Sequence, residues 1–173
     1  MCLNTLEKLK RIQIKRKEAE AIILEAKKRK LTSTIGKVKR AEILKVYPLF
    51  LLVVNDAPFI LFDVSRETTV PFISSIGKYS ICPSITVDMG AVPYIVKGAD
   101  VMAPGVNAFE EFEVGDITCV KTERYSQTIA TGIALISSKD IGGLRKGKTI
   151  KNVHYIGDRY WNSAKKLSFR SNL

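Results

Sequence analysis

The sequence predicts an α+β protein in two parts: a small N-terminal α+β unit, then a pseudo-barrel of short β-strands with two short helices. Three observations carry this reading. A helical apolar stripe is followed by a hairpin pattern within the first 64 residues, the strands shorten and glycines multiply after Pro83, and the basic charge is confined to the two ends. With 173 residues, 46% of them hydrophobic, the chain can build a packed core in one ordinary domain or two small ones.

The elements follow in order. "RIQIK" (11–15) alternates as a short strand, and "RKEAEAIILEAKKRK" (16–30) places Ala19, Ile22, Ile23 and Ala26 at helical spacing on one stripe. Glu18 and Glu20 lie early and Lys27, Lys28 and Arg29 late, as the helix dipole favours. "LTSTIGK" breaks the helix. "KVKRAEILKVY" (37–47) alternates again, and "LFLLVV" and "FILFDV" flank Asn-Asp-Ala-Pro, a β-hairpin signature over 49–64. In "TTVPFISSIGKY" (68–79), Phe72, Ile73 and Ile76 fall at helical spacing after an early Pro71, which predicts a short helix capped near Thr68 or Thr69.

A boundary falls near "SICPS" (80–84). Beyond it "SITVD", "ADVMAPGV", "DITCVKT", "TIATGIALIS" and "NVHYIGD" read as short strands of a small barrel, interrupted by helical pieces at 90–98 and 137–147. Pro93 suits the first turn of the former helix and Gly98 suits the left-handed position that ends it. The organisation is therefore an N-terminal domain over 1–82, a barrel domain over 83–161, and a basic tail over 162–173 expected to be mobile.

Residues 1–40 hold 13 Lys and Arg against 4 Asp and Glu, a net of +9; residues 144–173 hold 8 against 1, a net of +7; the middle is −5. Segregated charge of this kind attracts a polyanion, and nucleic acid is the first candidate. No uninterrupted apolar run reaches membrane-spanning length, since Asn55, Asp56 and Pro58 cut the nearest one, and the charged N-terminus does not read as a secretory signal. Cys2, Cys82 and Cys119 are odd in number and lack CxxC spacing, so the expectation is small apolar fillers in a reducing, cytoplasmic compartment, with no disulfide and no zinc site.

Catalytic chemistry finds little footing. His154 is the only histidine and sits in an apolar strand, where a core or edge role fits better than catalysis. "GGLRKGK" (142–148) lacks the spacing of a phosphate loop. Tyr155, Tyr160 and Trp161, near Arg159 and Lys148, could stack on bases, while Trp161 equally suits a plug for the open end of the barrel. The reading is a non-enzyme with no cofactor and no metal.

"VDMGAVPYIVKGADVMAPGV" (87–106), "VGDITCVKT" (114–122), "TIATGIALISSKDI" (128–141) and "KGKTIKNVHYIGDRYW" (146–161) together resemble a PUA domain, the RNA-binding module of pseudouridine synthases and archaeosine transglycosylases. "KYSICPSITVDMGAVPYIVKGADVMAPGV" and "NVHYIGDRYW" more narrowly resemble the malignant T-cell-amplified sequence family of translation proteins, here of an archaeal type. Met89 stands where that family usually has a basic residue. The resemblance implies RNA in a groove between the first barrel helix, the strand after it and the last strand, with Gly90, Ala91, Lys97, Gly98, Ala99, Pro104, Gly105, Val106, Lys148, Tyr155 and Arg159 as RNA-binding candidates. Glycine there would let phosphate or base approach bare backbone, and Lys97 would neutralise a phosphate at the rim.

A monomer without membrane association is expected, and the family implies action on structured RNA of the translation machinery. The targets would be rRNA of the small ribosomal subunit or the acceptor end of tRNA, in initiation or recycling, with a partner resembling density-regulated protein. The alternative is an accessory RNA-binding subunit of a pseudouridine or archaeosine modification system.

Overall fold

The computed structural model describes residues 10–168, apart from positions 34 and 66. The N-terminal part is an antiparallel sheet of five strands in the order β1 (Arg11–Gln13), β3 (Ala41–Val46), β4 (Leu49–Val54), β5 (Ala57–Phe62), β6 (Thr69–Pro71). The hairpin between β4 and β5 turns on Asn55 and Asp56, both with positive φ, the conformation that matches a two-residue turn to the strand twist. Helix α1 (Arg16–Lys27) buries the anticipated stripe of Ala19, Ile22, Ile23 and Ala26 against Leu52, Val54, Ile60 and Phe62.

The opposite face of that sheet is also covered. Leu44, Val46, Leu49, Leu51, Val53 and Leu61 pack against α4 (Arg159–Ser168), which contributes Tyr160 and Ala164. Burial on both faces explains why "LFLLVV" is apolar without alternation. The expected mobile tail is thus corrected over its first residues: 162–168 continue a helix, and Ser163 and Ala164 are buried. The rest of the tail, 169–173, lies outside the described residues.

A second correction concerns 68–79. Instead of a helix, Thr69–Pro71 form edge strand β6, paired with β5 through Leu61 and Val70, and only Ile73–Ser75 make a single 3-10 turn. Proline is tolerated on an edge, and the β-branched Thr69 and Val70 suit a strand, which outweighs the helical spacing of three apolar residues. A small pair, β2 (Thr32–Ser33) with β7 (Ser80–Ile81), bridges toward the second part.

That part is a mixed six-stranded sheet closing into a near-barrel. Its order is β10 (Val106–Phe109), β8 (Ser84–Val87), β11 (Ile117–Thr122), β12 (Thr128–Ala134), β13 (Lys148–Tyr155), β9 (Val101–Met102). Only β8 and β11 run parallel. Short helices α2 (Val92–Ile95) and α3 (Ser138–Ile141) fall where the sequence places helical pieces, though each is shorter than expected. Ile85, Val87, Val101, Phe112, Val120 and Ile150 form the interior.

The two sheets share apolar clusters: Ile117 and Cys119 join the cluster around α1, while Ile133 and Val153 join that around α4. Thr131 Oγ1 also donates to the Pro71 carbonyl at 3.0 Å. Cys82 and Cys119 form a disulfide with Cα atoms 6.1 Å apart, contrary to the expectation of unpaired fillers. The parallel register that sets Ser84 opposite Cys119 brings Cys82, two residues before β8, alongside β11, a juxtaposition invisible in a linear spacing of 37. Cysteine usage therefore gives no argument for a reducing compartment. Among the described residues no helix is long and apolar enough to cross a membrane.

Candidate nucleic-acid interface

A groove of about 440 Å³ opens beside α2, in the range of small-ligand sites. Its construction begins at Asp88, where β8 ends. The Asp88 carboxylate Oδ1 accepts from the Ala91 N–H at 2.7 Å, turning the chain into α2, and the Asp88 N–H donates to the Gly105 carbonyl at 3.0 Å, tying the far wall to the near one. Pro93 lies in the first turn of α2, and Gly98, at φ +96°, closes the segment after it.

The glycines now have physical reasons. A Cβ on Gly105 would stand 3.0 Å from the Ala91 Cβ, pinching the groove floor. A Cβ on Gly98 would stand 3.1 Å from the Tyr155 ring, so Gly98 is held by a positive φ and by an aromatic packed beneath it. Gly98 is a packing position at the end of α2 and does not line the groove; Gly105 does.

The structure brings Gly90, Ala91, Ala99, Pro104 and Gly105 together on the groove. Lys97 is exposed on the turn after α2, next to Gly98. Val106 begins β10 and packs on the barrel interior, as Tyr155 does. Lys148 is tied to Asp100, Nζ to Oδ2 2.8 Å. Arg159 points elsewhere: Nη1 donates to the Tyr47 carbonyl at 3.0 Å, at the turn between β3 and β4. Trp161 is half-buried and stacks on Phe72 with ring centroids 6.0 Å apart and 9° between planes, with Lys165 Nζ 5.6 Å from its ring centroid, and Tyr160 is buried. His154 is fully buried, its Nδ1 2.7 Å from Asp158 Oδ2 and its ring 4.5 Å from that of Phe72, a core residue.

Sequence reasoning missed the groove's polar lining, which is acidic. Asp88 and Asp100 are its carboxylates, and among the described residues no Lys or Arg lines it. Burial pushes the Asp100 carboxyl up, but the Lys148 hydrogen bond, the Asn152 N–H and the charges of Lys148 and Lys151 together outweigh it and hold the group below its ordinary 3.8. The apolar lining includes Tyr94, 68% exposed, and Met102, 45% exposed, which present unusually open apolar faces. The signal that could have found Asp88 is its place two residues before Gly90, where a short side chain caps the turn into α2.

Cations gather outside. Lys97, Arg145, Lys146 and Lys151 are exposed around this side of the barrel, the 145–147 turn being joined to the groove wall by the Ala103 N–H to Gly147 carbonyl bond at 2.8 Å. On the N-terminal part, Arg16, Lys28, Lys30 and Arg40 are consumed in ion pairs with Glu20, Glu25, Asp116 and Glu42. Lys17, Lys27, Lys37 and Lys39 form no side-chain ion pair among the described residues.

The second part is a near-barrel of short strands with an open, largely apolar groove beside its first helix. Residues 83–156 match the PUA domain family, so the chain carries a PUA domain. It is similar to an uncharacterized protein of Methanocaldococcus jannaschii (46% identity over 79 residues, 45% of this chain and 49% of that one). It is also similar to Translation machinery-associated protein 20 of Schizosaccharomyces pombe (31% identity, 66% of each chain) and to human Malignant T-cell-amplified sequence 2 (31%, 60% of each). The matches span about half to two thirds of the length of these relatives. The resemblance read from the sequence is thereby shown. In architecture the chain is similar to a hypothetical protein of Pyrococcus horikoshii OT3, with TM-score 0.74 and 25% identity over 90% of this chain and 99% of that one.

Proposed function

We propose that this protein binds structured RNA of the translation machinery, rRNA of the small subunit or the acceptor end of tRNA, in initiation or recycling and without catalysing a reaction. One observation carries the reading: the PUA barrel opens an apolar groove between α2 and the 102–105 turn, while the cations stand outside it. That arrangement suits a polymer whose bases are apolar-faced and whose backbone is anionic. The groove takes a base and its sugar against Tyr94, Met102 and Pro104, and the phosphates on either side lie toward Lys97, Arg145, Lys146 and Lys151. The candidate contacts are accordingly Gly90, Ala91, Ala99, Pro104 and Gly105 in the groove and Lys97 at its rim. The names of the relatives, translation machinery-associated and malignant T-cell-amplified sequence proteins, support the translational setting.

The N-terminal part buttresses the barrel and adds a second basic face through Lys17, Lys27, Lys37 and Lys39. The protein works in the cytoplasm as a monomer, with a partner of density-regulated-protein type. Crosslinking the protein to RNA in cells and sequencing the bound fragments tests the target. Enrichment of small-subunit rRNA or tRNA is expected, and enrichment of neither refutes the translational reading. In filter binding, affinity is expected to fall by orders of magnitude between about 50 and 200 mM salt; a flat salt dependence refutes the electrostatic half.

A further inference from the structure

We propose that Asp88 is the selectivity residue of the groove: its free carboxylate oxygen accepts a hydrogen bond from the exocyclic amine of a base, so the groove takes cytosine or adenine in preference to uracil. The proposal rests on the reading of the groove as an RNA site and names what that site distinguishes.

Asp88 is held firmly. Its Oδ1 accepts from the Ala91 N–H, and its own N–H is bonded to the Gly105 carbonyl, so neither backbone nor side chain swings freely. Its Oδ2 has no partner among the described residues. That oxygen stands 3.8 Å from where a Gly105 Cβ would be, so the bare backbone at Gly105 leaves the space in front of it open. Asp100, the other carboxylate of the groove, is already occupied by Lys148 and the Asn152 N–H. Asp88 is therefore the one charged acceptor of the groove with capacity to spare.

A carboxylate accepts and cannot donate. It rewards an amino group in front of it and repels a lone pair or an anion. Cytosine presents an amine at the ring position where uracil presents a carbonyl oxygen, with nearly the same shape and stacking area. A phosphate in this position would face an unneutralised carboxylate, so of the phosphate or base expected at the glycines the proposal selects the base.

The test compares oligo(C) and oligo(U) of equal length by fluorescence anisotropy at one salt concentration, with the wild-type chain and Asp88→Asn. The wild-type protein is expected to prefer oligo(C) by about tenfold, the scale of one charged hydrogen bond gained against one lone-pair clash. Asp88→Asn keeps an oxygen for the Ala91 N–H but can turn an amide N–H toward uracil, so the preference is expected to collapse toward unity with the salt dependence unchanged. A melting curve checks that the variant folds. Independently of any variant, oligomers of N4,N4-dimethylcytidine should bind the wild-type chain no better than oligo(U). Equal binding of oligo(C) and oligo(U), or a preference that survives either Asp88→Asn or dimethylation, overturns the proposal while leaving the RNA site standing. Failure to bind any oligomer overturns both.

Discussion

Tyr160→Ala measures how firmly α4 is docked. Tyr160 is 7% exposed and sits among Leu44, Val46, Leu49 and Leu51, with its hydroxyl near the Leu49 backbone. Loss of a buried aromatic costs about 3–5 kcal/mol through lost transfer energy and the cavity left behind. For a chain of this length each kcal/mol lowers the melting temperature by about 2–4 °C, so a drop of roughly 6–20 °C is expected in a thermal melt followed by circular dichroism. Lys166→Ala, exposed on the same helix, should change the melt by less than about 0.5 kcal/mol. Burial also pushes the Tyr160 hydroxyl up from its ordinary 10.0, against the lowering effect of the Leu49 backbone and the Arg159 charge. The folded state thus holds this proton more tightly than the unfolded one. Its contribution is fully present below the unfolded value and is lost as pH rises through the folded one, so Tyr160→Phe should flatten the alkaline limb of stability. A Tyr160→Ala loss below about 1 kcal/mol refutes the packing of α4 on the first sheet.

Gly98→Ala should cost about 2 kcal/mol in urea denaturation, from a side chain at positive φ and its contact with Tyr155; in a Tyr155→Leu background the contact part should vanish and the strain remain, and equal penalties in both backgrounds refute the contact. Asp100 should titrate below its ordinary 3.8 when its carboxyl carbon is followed by NMR, and Lys148→Met should move it upward; its contribution to stability is present above the unfolded value and is lost as pH falls through the folded one. Cys82 and Cys119 should resist alkylation in denaturant until a reductant is added, and prompt labelling of both without reductant refutes the disulfide.

What was legible in the sequence is local. The α1 stripe and the Asn55-Asp56 turn each encode their element within a few residues, and the structure reproduces both. The barrel strands and the groove glycines were readable through the PUA pattern. What escaped depends on partners far along the chain. Strand β6 owes its conformation to β5, and α4 to a sheet face more than a hundred residues away, a docking that its polar, lysine-bearing sequence does not announce. At the site, a search for cations to meet phosphate pointed to Lys148 and Arg159, which the fold commits to Asp100 and the Tyr47 carbonyl. The same search passed over Asp88, whose charge had the wrong sign for that question.

The packing of α4 on β3 and β4 has a consequence for synthesis. A polypeptide emerges N-terminus first, so the five-stranded sheet can form with α1 on one side while Leu44, Leu49 and Leu51 on the other still face water. The segment that shelters them, residues 159–168, is made about a hundred residues after them. Until then the nascent chain carries an oily plane that can adhere to neighbours. Its lifetime is set by translation speed and by contacts spanning most of the chain, the slowest kind to close. A chain released before residue 159 would keep that plane bare for as long as it survived.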